Sequence, residues 1–319
     1  MHLLSNLYTG DKIEVVIVIR NWYNNSVTST HKMATLCESK KSTKQFNCAI
    51  EQAIMKQDYV ELGSNENFQW IVCSDGHGHL PRCKNGRKIN LVVDLLRSVD
   101  WDELLREDNF YALLQKKLAA IDTRGSGATL SVVKIFPTYF ECHWVGDSPI
   151  TVYSGGEAIW NMKCHKPSNP AEMGRLATLK VPYPGNKMRR VRFEPDFNIK
   201  VLSPKTIAMV RSNYVIFGLD EMINMTHALG HSGVTGNFIS SARIERRPGQ
   251  MYKVIAATDG ITSMMCEDDE PFLASKEADS DAILTLALKR WCQPWEFDGK
   301  MEQFPRSNVD DCAIGVWMG

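Results

Sequence analysis

The 319-residue chain predicts an α+β fold. Three patterns point there. Apolar runs end in glycine-rich turns, as at Trp70-Ile71-Val72-Cys73 before Ser74-Asp75-Gly76-His77-Gly78-His79. Such runs read as buried strands. Between Gly125 and Gly156, strands succeed one another through tight turns with no helix between them. That is an antiparallel meander, not a βαβ repeat. Apolar residues then recur at helical spacing in 88–121 and 280–291.

Taken in order, residues 1–45 read as an N-terminal extension. It holds one apolar strand, Glu14 to Arg20, a polar stretch and a basic loop at Lys40-Lys41-Ser42-Thr43-Lys44. The remaining chain, 46–319, reads as the domain proper. Phe46 to Ala53 and Lys56 to Leu62 are short strands flanking a turn, and Phe68 to Ser74 is a third strand. Lys88 to Ser98 is helical, with Ile89, Val92, Val93 and Leu96 on one face. Asp102 to Ile121 follows as a second helix, with Leu104, Leu105, Leu113, Leu114 and Leu118 as core residues.

Gly125-Ser126-Gly127-Ala128-Thr129 opens a strand running to about Ile135. Pro137-Thr138 turns it into Tyr139 to Val145, and Gly146-Asp147-Ser148-Pro149 leads to a third strand, Ile150 to Tyr153. From Cys164 to about Thr206 the pattern is irregular, with six prolines and a basic cluster at Lys187, Arg189, Arg190 and Arg192. This stretch, 164–206, reads as a flap-like insertion. Met251 to Thr258 is a strand, Gly260 to Met265 starts a helix, Ser280 to Trp291 is a helix and Cys312 to Trp317 is the last strand.

Lys plus Arg balances Asp plus Glu, which gives no electrostatic footprint for nucleic acid. Nine scattered cysteines without a C-x-x-C suggest reduced thiols in a cytosol-like compartment. No segment approaches the roughly 20 apolar residues of a membrane span, and no secretory leader is recognisable. The expectation is a monomer in the cytoplasm or nucleus, with no membrane or nucleic-acid partner.

The chemistry centres on acids at strand ends. A single Asp-Gly-His-Gly is more often a turn than a site, but the design recurs. Ala256-Ala257-Thr258-Asp259-Gly260 repeats the strand and the Asp-Gly, and Asp310-Asp311 immediately precedes the last strand. Gln57-Asp58 stands before another. Carboxylates with a carbonyl and a histidine nearby suit a hard metal ion with acid-base assistance.

These motifs, in order, resemble the metal-dependent protein phosphatase family of the protein phosphatase 2C type. Gln57-Asp58 resembles its early acidic motif, Asp75-Gly76-His77-Gly78 its DGHGG and Gly125 to Thr129 its GSTA-like strand. Val145-Gly146-Asp147-Ser148 resembles VGDSR, and His165-Lys166-Pro167 with Glu172 and Arg175 resembles DHKP…E…R. Ala228-Leu229-Gly230 resembles part of SRALGD, Thr258-Asp259-Gly260 its SDG, and Asp310-Asp311 its late acidic pair.

The resemblance implies a four-layer α-β-β-α sandwich of two antiparallel sheets flanked by helices. It implies a serine/threonine phosphatase acting on phosphoserine and phosphothreonine proteins through a metal-activated water, with two Mg²⁺ or Mn²⁺ ions about 4 Å apart. On this reading Asp75 bridges the metals, the Gly76 carbonyl serves one, Asp259 and Asp310 serve the other, and Asp58 acts through water. His77 is the general acid, and Asp147 marks a third metal position.

The chain departs from the family pattern at several points. Where the family usually carries an arginine that holds the substrate phosphate, it has Ala53. Lys56, or a flap arginine such as Arg189 or Arg190, is the candidate replacement, although lysine lacks the bidentate fork of arginine. Gln57 stands where many members carry Glu, His231 closes the motif resembling SRALGD, and Ser263 stands where a further acid is common. Pro149 and Cys164 replace an arginine and an aspartate, changes that concern packing. The alternative reading is a catalytically degenerate relative that acts as a binding or scaffold module.

Overall fold

The computed structural model describes residues 46–53, 56–78, 89–123, 125–166, 169–178, 190–198, 210–217, 221–231, 235–297, 300–304 and 309–319. The extension 1–45, His79, Pro167, Lys187 and Arg189 therefore lie outside the described residues.

The chain begins with β1 (Phe46–Glu51), β2 (Tyr59–Ser64), β3 (Gln69–Ser74) and the short β4 (Gly76–Gly78). Three helices follow, α1 (Leu91–Arg97), α2 (Trp101–Leu105) and α3 (Phe110–Ala119). Next come β5 (Ser126–Ala128), β6 (Leu130–Ile135), β7 (Tyr139–Val145), β8 (Ile150–Ser154) and β9 (Glu157–Asn161). Then α4 (Pro170–Thr178) precedes β10 (Arg190–Asn198), β11 (Val210–Phe217) and β12 (Glu221–Ile223). The last part holds β13 (Ser240–Glu245), β14 (Tyr252–Ala257), α5 (Asp259–Thr262), α6 (Glu270–Ala274) and α7 (Ser280–Cys292), then β15 (Pro294–Phe297), β16 (Lys300–Gln303) and β17 (Cys312–Met318).

Two five-stranded sheets carry the architecture, ordered β1-β17-β14-β8-β9 and β13-β7-β6-β3-β2. Every pairing within them is antiparallel. Side-chain alternation divides the interior into layers. In β3, Ile71 and Cys73 enter the core between the sheets, whereas Trp70 and Val72 pack with α1, α2 and α3. In β14, Val254 and Ala256 face the other sheet, while Ile255 and Ala257 meet α5 and α7. The result is the α-β-β-α sandwich. At its centre β17 crosses close to β3, for a Cβ on Gly315 would lie 2.6 Å from Ile71 Cγ2.

Several sequence expectations are corrected. Asp102 to Ile121 is two helices rather than one. Leu105 and Phe110 are five residues apart, which turns an unbroken helix by about 140° between them. The break at 106–109 lets both residues reach the same core. The strand expected from Gly125 to Ile135 is interrupted at Thr129, whose backbone and hydroxyl serve Asp75 instead. The expected meander also divides: β7 pairs with β6 and β13, but β8 crosses to the other sheet and pairs with β14 and β9. Gly146, at φ +93, makes that crossing possible, since a Cβ there would press on Thr129. The stretch 164–206 is not irregular throughout. Pro170 starts α4 at a position where its missing N–H is harmless, and Arg190 and Arg192 lie on β10 of a small sheet ordered β10-β11-β12.

Among the described residues no helix is long and apolar enough to cross a membrane, and the described cysteines form no disulfide.

A buried histidine pair ties the sheet-crossing turn to the segment after β12. His165 Nδ1 accepts from the Gly146 amide at 3.0 Å, and its Nε2 lies 2.9 Å from Ser240 Oγ. His227 Nε2 donates to the Phe238 carbonyl at 2.7 Å, and the two imidazoles meet edge to face at 5.2 Å. Burial pushes His165 down to about 4 and His227 down to about 3. Both rings are thus neutral when folded but bind protons below about pH 6.5 when unfolded. Their contribution to stability is complete above that pH and is lost as pH falls toward their folded values. The denaturant midpoint should therefore decline more gently with acidification, from pH 7 to 4.5, in His227→Gln than in the unsubstituted protein. At the centre of the sandwich, Ile71→Ala should cost about 2–5 kcal/mol in equilibrium unfolding.

Candidate active site

Strand register brings the sequence-separated acids to one end of the sandwich. Tyr59 pairs with Ser74, so Asp58 and Asp75 leave β2 and β3 side by side. Ala257 pairs with Ile314, so Asp259 leaves β14 where Asp310 and Asp311 enter β17. Leu130 pairs with Val145, which brings Asp147 to the same rim.

Each acid is held by its neighbours. The Asp75 amide donates to Thr129 Oγ1 at 2.8 Å, and the Thr129 amide returns a bond to the Asp75 carbonyl at 2.8 Å. Asp58, 1% exposed, accepts from Thr258 Oγ1 at 2.6 Å. Asp311 does not face the other acids alone. It accepts the backbone amides of Ala53 at 2.5 Å and Gln57 at 2.6 Å, anchoring the loop that carries Asp58. Gly260 passes so near the Asp311 carbonyl that any Cβ would collide with it.

Asn90 is the organiser that the motifs did not reveal. Its side-chain oxygen caps α1 by accepting the amides of Val92 and Val93. Its amide group donates toward Gln57 Oε1, the His77 carbonyl and the Gly127 carbonyl, at 2.9–3.1 Å. One residue thus joins the acidic loop, the turn after Asp75 and β5. The only sequence signal was an Asn directly before an apolar helical run. Gly76 is packed equally tightly, for a Cβ would lie 2.7 Å from both the Gln57 carbonyl and Val93 Cγ2.

The electrostatics are those of crowded like charges. Burial raises Asp58 and Asp75 well above the ordinary carboxylate range, and repulsion adds to the rise, from Asp259 and Asp310 on both. Asp75 and Asp259 stand within hydrogen-bonding reach of each other. Two carboxylates share such a contact only with a proton or a cation between them. Asp310 is pushed up to about 7 by burial and by Asp259. This set fits a hard divalent cation: all the donors are oxygens, and they repel one another until a positive charge joins them. Among the described residues, no three or more His, Cys, Asp or Glu side chains are arranged as a group that could hold a metal ion by themselves.

His77 lies on β4 with both ring nitrogens buried and, among the described residues, without a hydrogen-bond partner. Its ring stacks on His231 at 5.2 Å, and both imidazoles lie over Gly127, where a side chain would strike them. Burial, then the neighbouring His231, pushes His77 down to about 3. It is a neutral imidazole at physiological pH.

Lys56, the candidate phosphate ligand, is exposed, with left-handed backbone at φ 57. Arg97, which sequence reasoning passed over, reaches from the last turn of α1 to donate to the Asp58 carbonyl at 2.9 Å. Glu172 and Arg175 are not at the carboxylates. They form a pair on α4 at 2.7 Å, and Arg175 also donates to the carbonyls of Thr226 and Thr235.

Residues 41–191 match the family model for protein phosphatase 2C. No curated protein matches by sequence. Among solved structures, a Caenorhabditis elegans sex-determining protein superposes with TM-score 0.54 and 15% identity, covering 87% of this chain and 65% of that one. This chain therefore spans less than two thirds of that protein's length. A serine-threonine phosphatase 2C from Toxoplasma gondii gives TM-score 0.52 and 17% identity, covering 88% and 96%. A serine/threonine phosphatase from Staphylococcus aureus gives 0.50 and 14%, covering 86% and 94%. The fold is the one these structures share. Residues 41–191 are thus similar to protein phosphatase 2C, and the chain shares the fold of these phosphatase structures.

Asp311→Ala would strand the buried amide of Gln57 and the part-buried amide of Ala53. It should destabilise the domain by about 1–3 kcal/mol for each group left unsatisfied, measurable as a lower denaturant midpoint at unchanged m-value.

Proposed function

We propose that this chain is a metal-dependent serine/threonine protein phosphatase that hydrolyses phosphomonoesters of phosphoserine and phosphothreonine proteins. The observation that carries this reading is the contact between Asp75 and Asp259, within the field of Asp58 and Asp310, at one rim of the sandwich. A fold that only presented a binding surface would gain nothing from holding these repelling charges together.

Mg²⁺ or Mn²⁺, when bound, neutralises such carboxylates and polarises a phosphoryl group and water. Asp75, Asp259, Asp310 and the Gly76 carbonyl would hold the ions, and Asp58 would act from behind Thr258. The protein's own part is placement. Asn90 and Thr129 fix the backbone on both sides of Asp75, so the donors need little rearrangement on binding. His77 would face the departing Ser or Thr oxygen. A phosphate dianion beside it favours the imidazolium, opposing the burial that keeps it neutral.

The test is hydrolysis of a phosphothreonine peptide by the purified chain in EDTA, Mg²⁺ or Mn²⁺, beside Asp75→Asn and Asp259→Asn. Activity should require metal and fall by about 10²-fold or more in each variant, at least 2.7 kcal/mol in barrier height. A folded protein inactive with either metal would instead support the binding-module reading, which Ala53 favours.

A further inference from the structure

One cation of the site belongs to the chain itself. Lys166 follows a short segment stitched to the sheet-crossing turn. The His165 amide donates to the Gly146 carbonyl at 3.0 Å, and the Gly146 amide donates back to His165 Nδ1 at 3.0 Å. Cys164 Sγ lies 3.8 Å from the Asp147 carbonyl, and Trp144 Nε1 donates to the Lys163 carbonyl at 3.1 Å. The His165 ring is itself walled in by Trp144, His227 and Phe238. Lys166 therefore emerges from an anchored backbone, not from a mobile loop tip.

Its Nζ stands 3.4 Å from Asp147 Oδ2, whose side chain is 3% exposed. The charge of Asp259 acts on both members of this pair, so the ammonium lies in the field of two acids from different sheets. Burial pushes Asp147 up, and Lys166 pulls it back to about 6. A carboxylate this buried is costly without a counter-charge, and the chain provides one.

We propose that the Lys166 ammonium is a built-in counter-ion of the carboxylate cluster, occupying its Asp147–Asp259 side and keeping a further divalent ion out of it. The inference rests on the metal-binding reading of the cluster above. It separates the acids into two groups. Among the described residues, the principal influences that raise Asp75, Asp58 and Asp310 are burial and other carboxylates, with no lysine or arginine among them, so these acids need an external ion. Asp147 already has its partner. The ammonium is a single charge on a flexible stem and, unlike a divalent ion, is present whatever the metal supply.

The test uses the full chain stripped with EDTA and titrated calorimetrically with Mn²⁺, as the unsubstituted protein, Lys166→Met and Lys166→Met/Asp147→Asn. Lys166→Met should take up one more Mn²⁺ per chain than the unsubstituted protein, and the double variant should return to the original number. Equal numbers in the unsubstituted protein and folded Lys166→Met overturn the proposal. Melting in EDTA supplies a second readout. Lys166→Met should melt a few degrees lower, and adding Asp147→Asn should recover part of that loss. Strictly additive effects of the two substitutions overturn the pairing. If the unsubstituted protein binds no Mn²⁺, the metal-dependent phosphatase reading fails, and the melting cycle alone then decides whether Lys166 is the partner of Asp147.

Discussion

Repulsion among buried carboxylates is the constraint around which this domain is built. Asp75 and Asp259 approach within hydrogen-bonding reach, with Asp58 and Asp310 beside them. Such an arrangement is unfavourable in isolation. It survives because four strands and their connections would have to move together to relieve it. The sandwich supplies that rigidity through its three layers of apolar packing, one between the sheets and one under each helical layer.

Rigidity at the rim has a second source in hydrogen bonds that cross between elements. Asn90 fastens α1 to the turns that carry Gln57, His77 and Gly127, and Asp311 fastens β17 to the loop before β2. Thr129 and Thr258 each hold an acid at its backbone or side chain. None of these residues is a metal donor in the functional reading. They determine where the donors stand, and so how much of the cost of assembling the site is met during folding and not during binding.

Two departures from the motifs that the chain resembles stand at Ala53 and His231. Asp75, Asp259 and Asp310 are retained, whereas Ala53 takes the place of an expected arginine and His231 takes that of an acid. The second change alters the surroundings of His77, which now stacks on another imidazole and remains neutral. Arg97 meanwhile contacts the backbone of the acidic loop from α1. A guanidinium therefore stands close to this loop, although it arrives from a helix and not from the strand where the motif places one.

The sequence by itself determined the alternation of strands and helices, the acids at strand ends and the family resemblance. Those features are local: an apolar run, an Asp-Gly turn and a helical period each act over a few neighbouring residues. It misjudged the helix at 102–121 and the strand through Thr129 because both break to satisfy partners distant in the chain. Only the tertiary structure decided that β8 leaves the meander for the opposite sheet, that Asp58 meets Thr258 across 200 positions, and that Lys166 lies against Asp147. Sheet register and burial bring these groups together, and both depend on how the layers pack, which no single segment encodes.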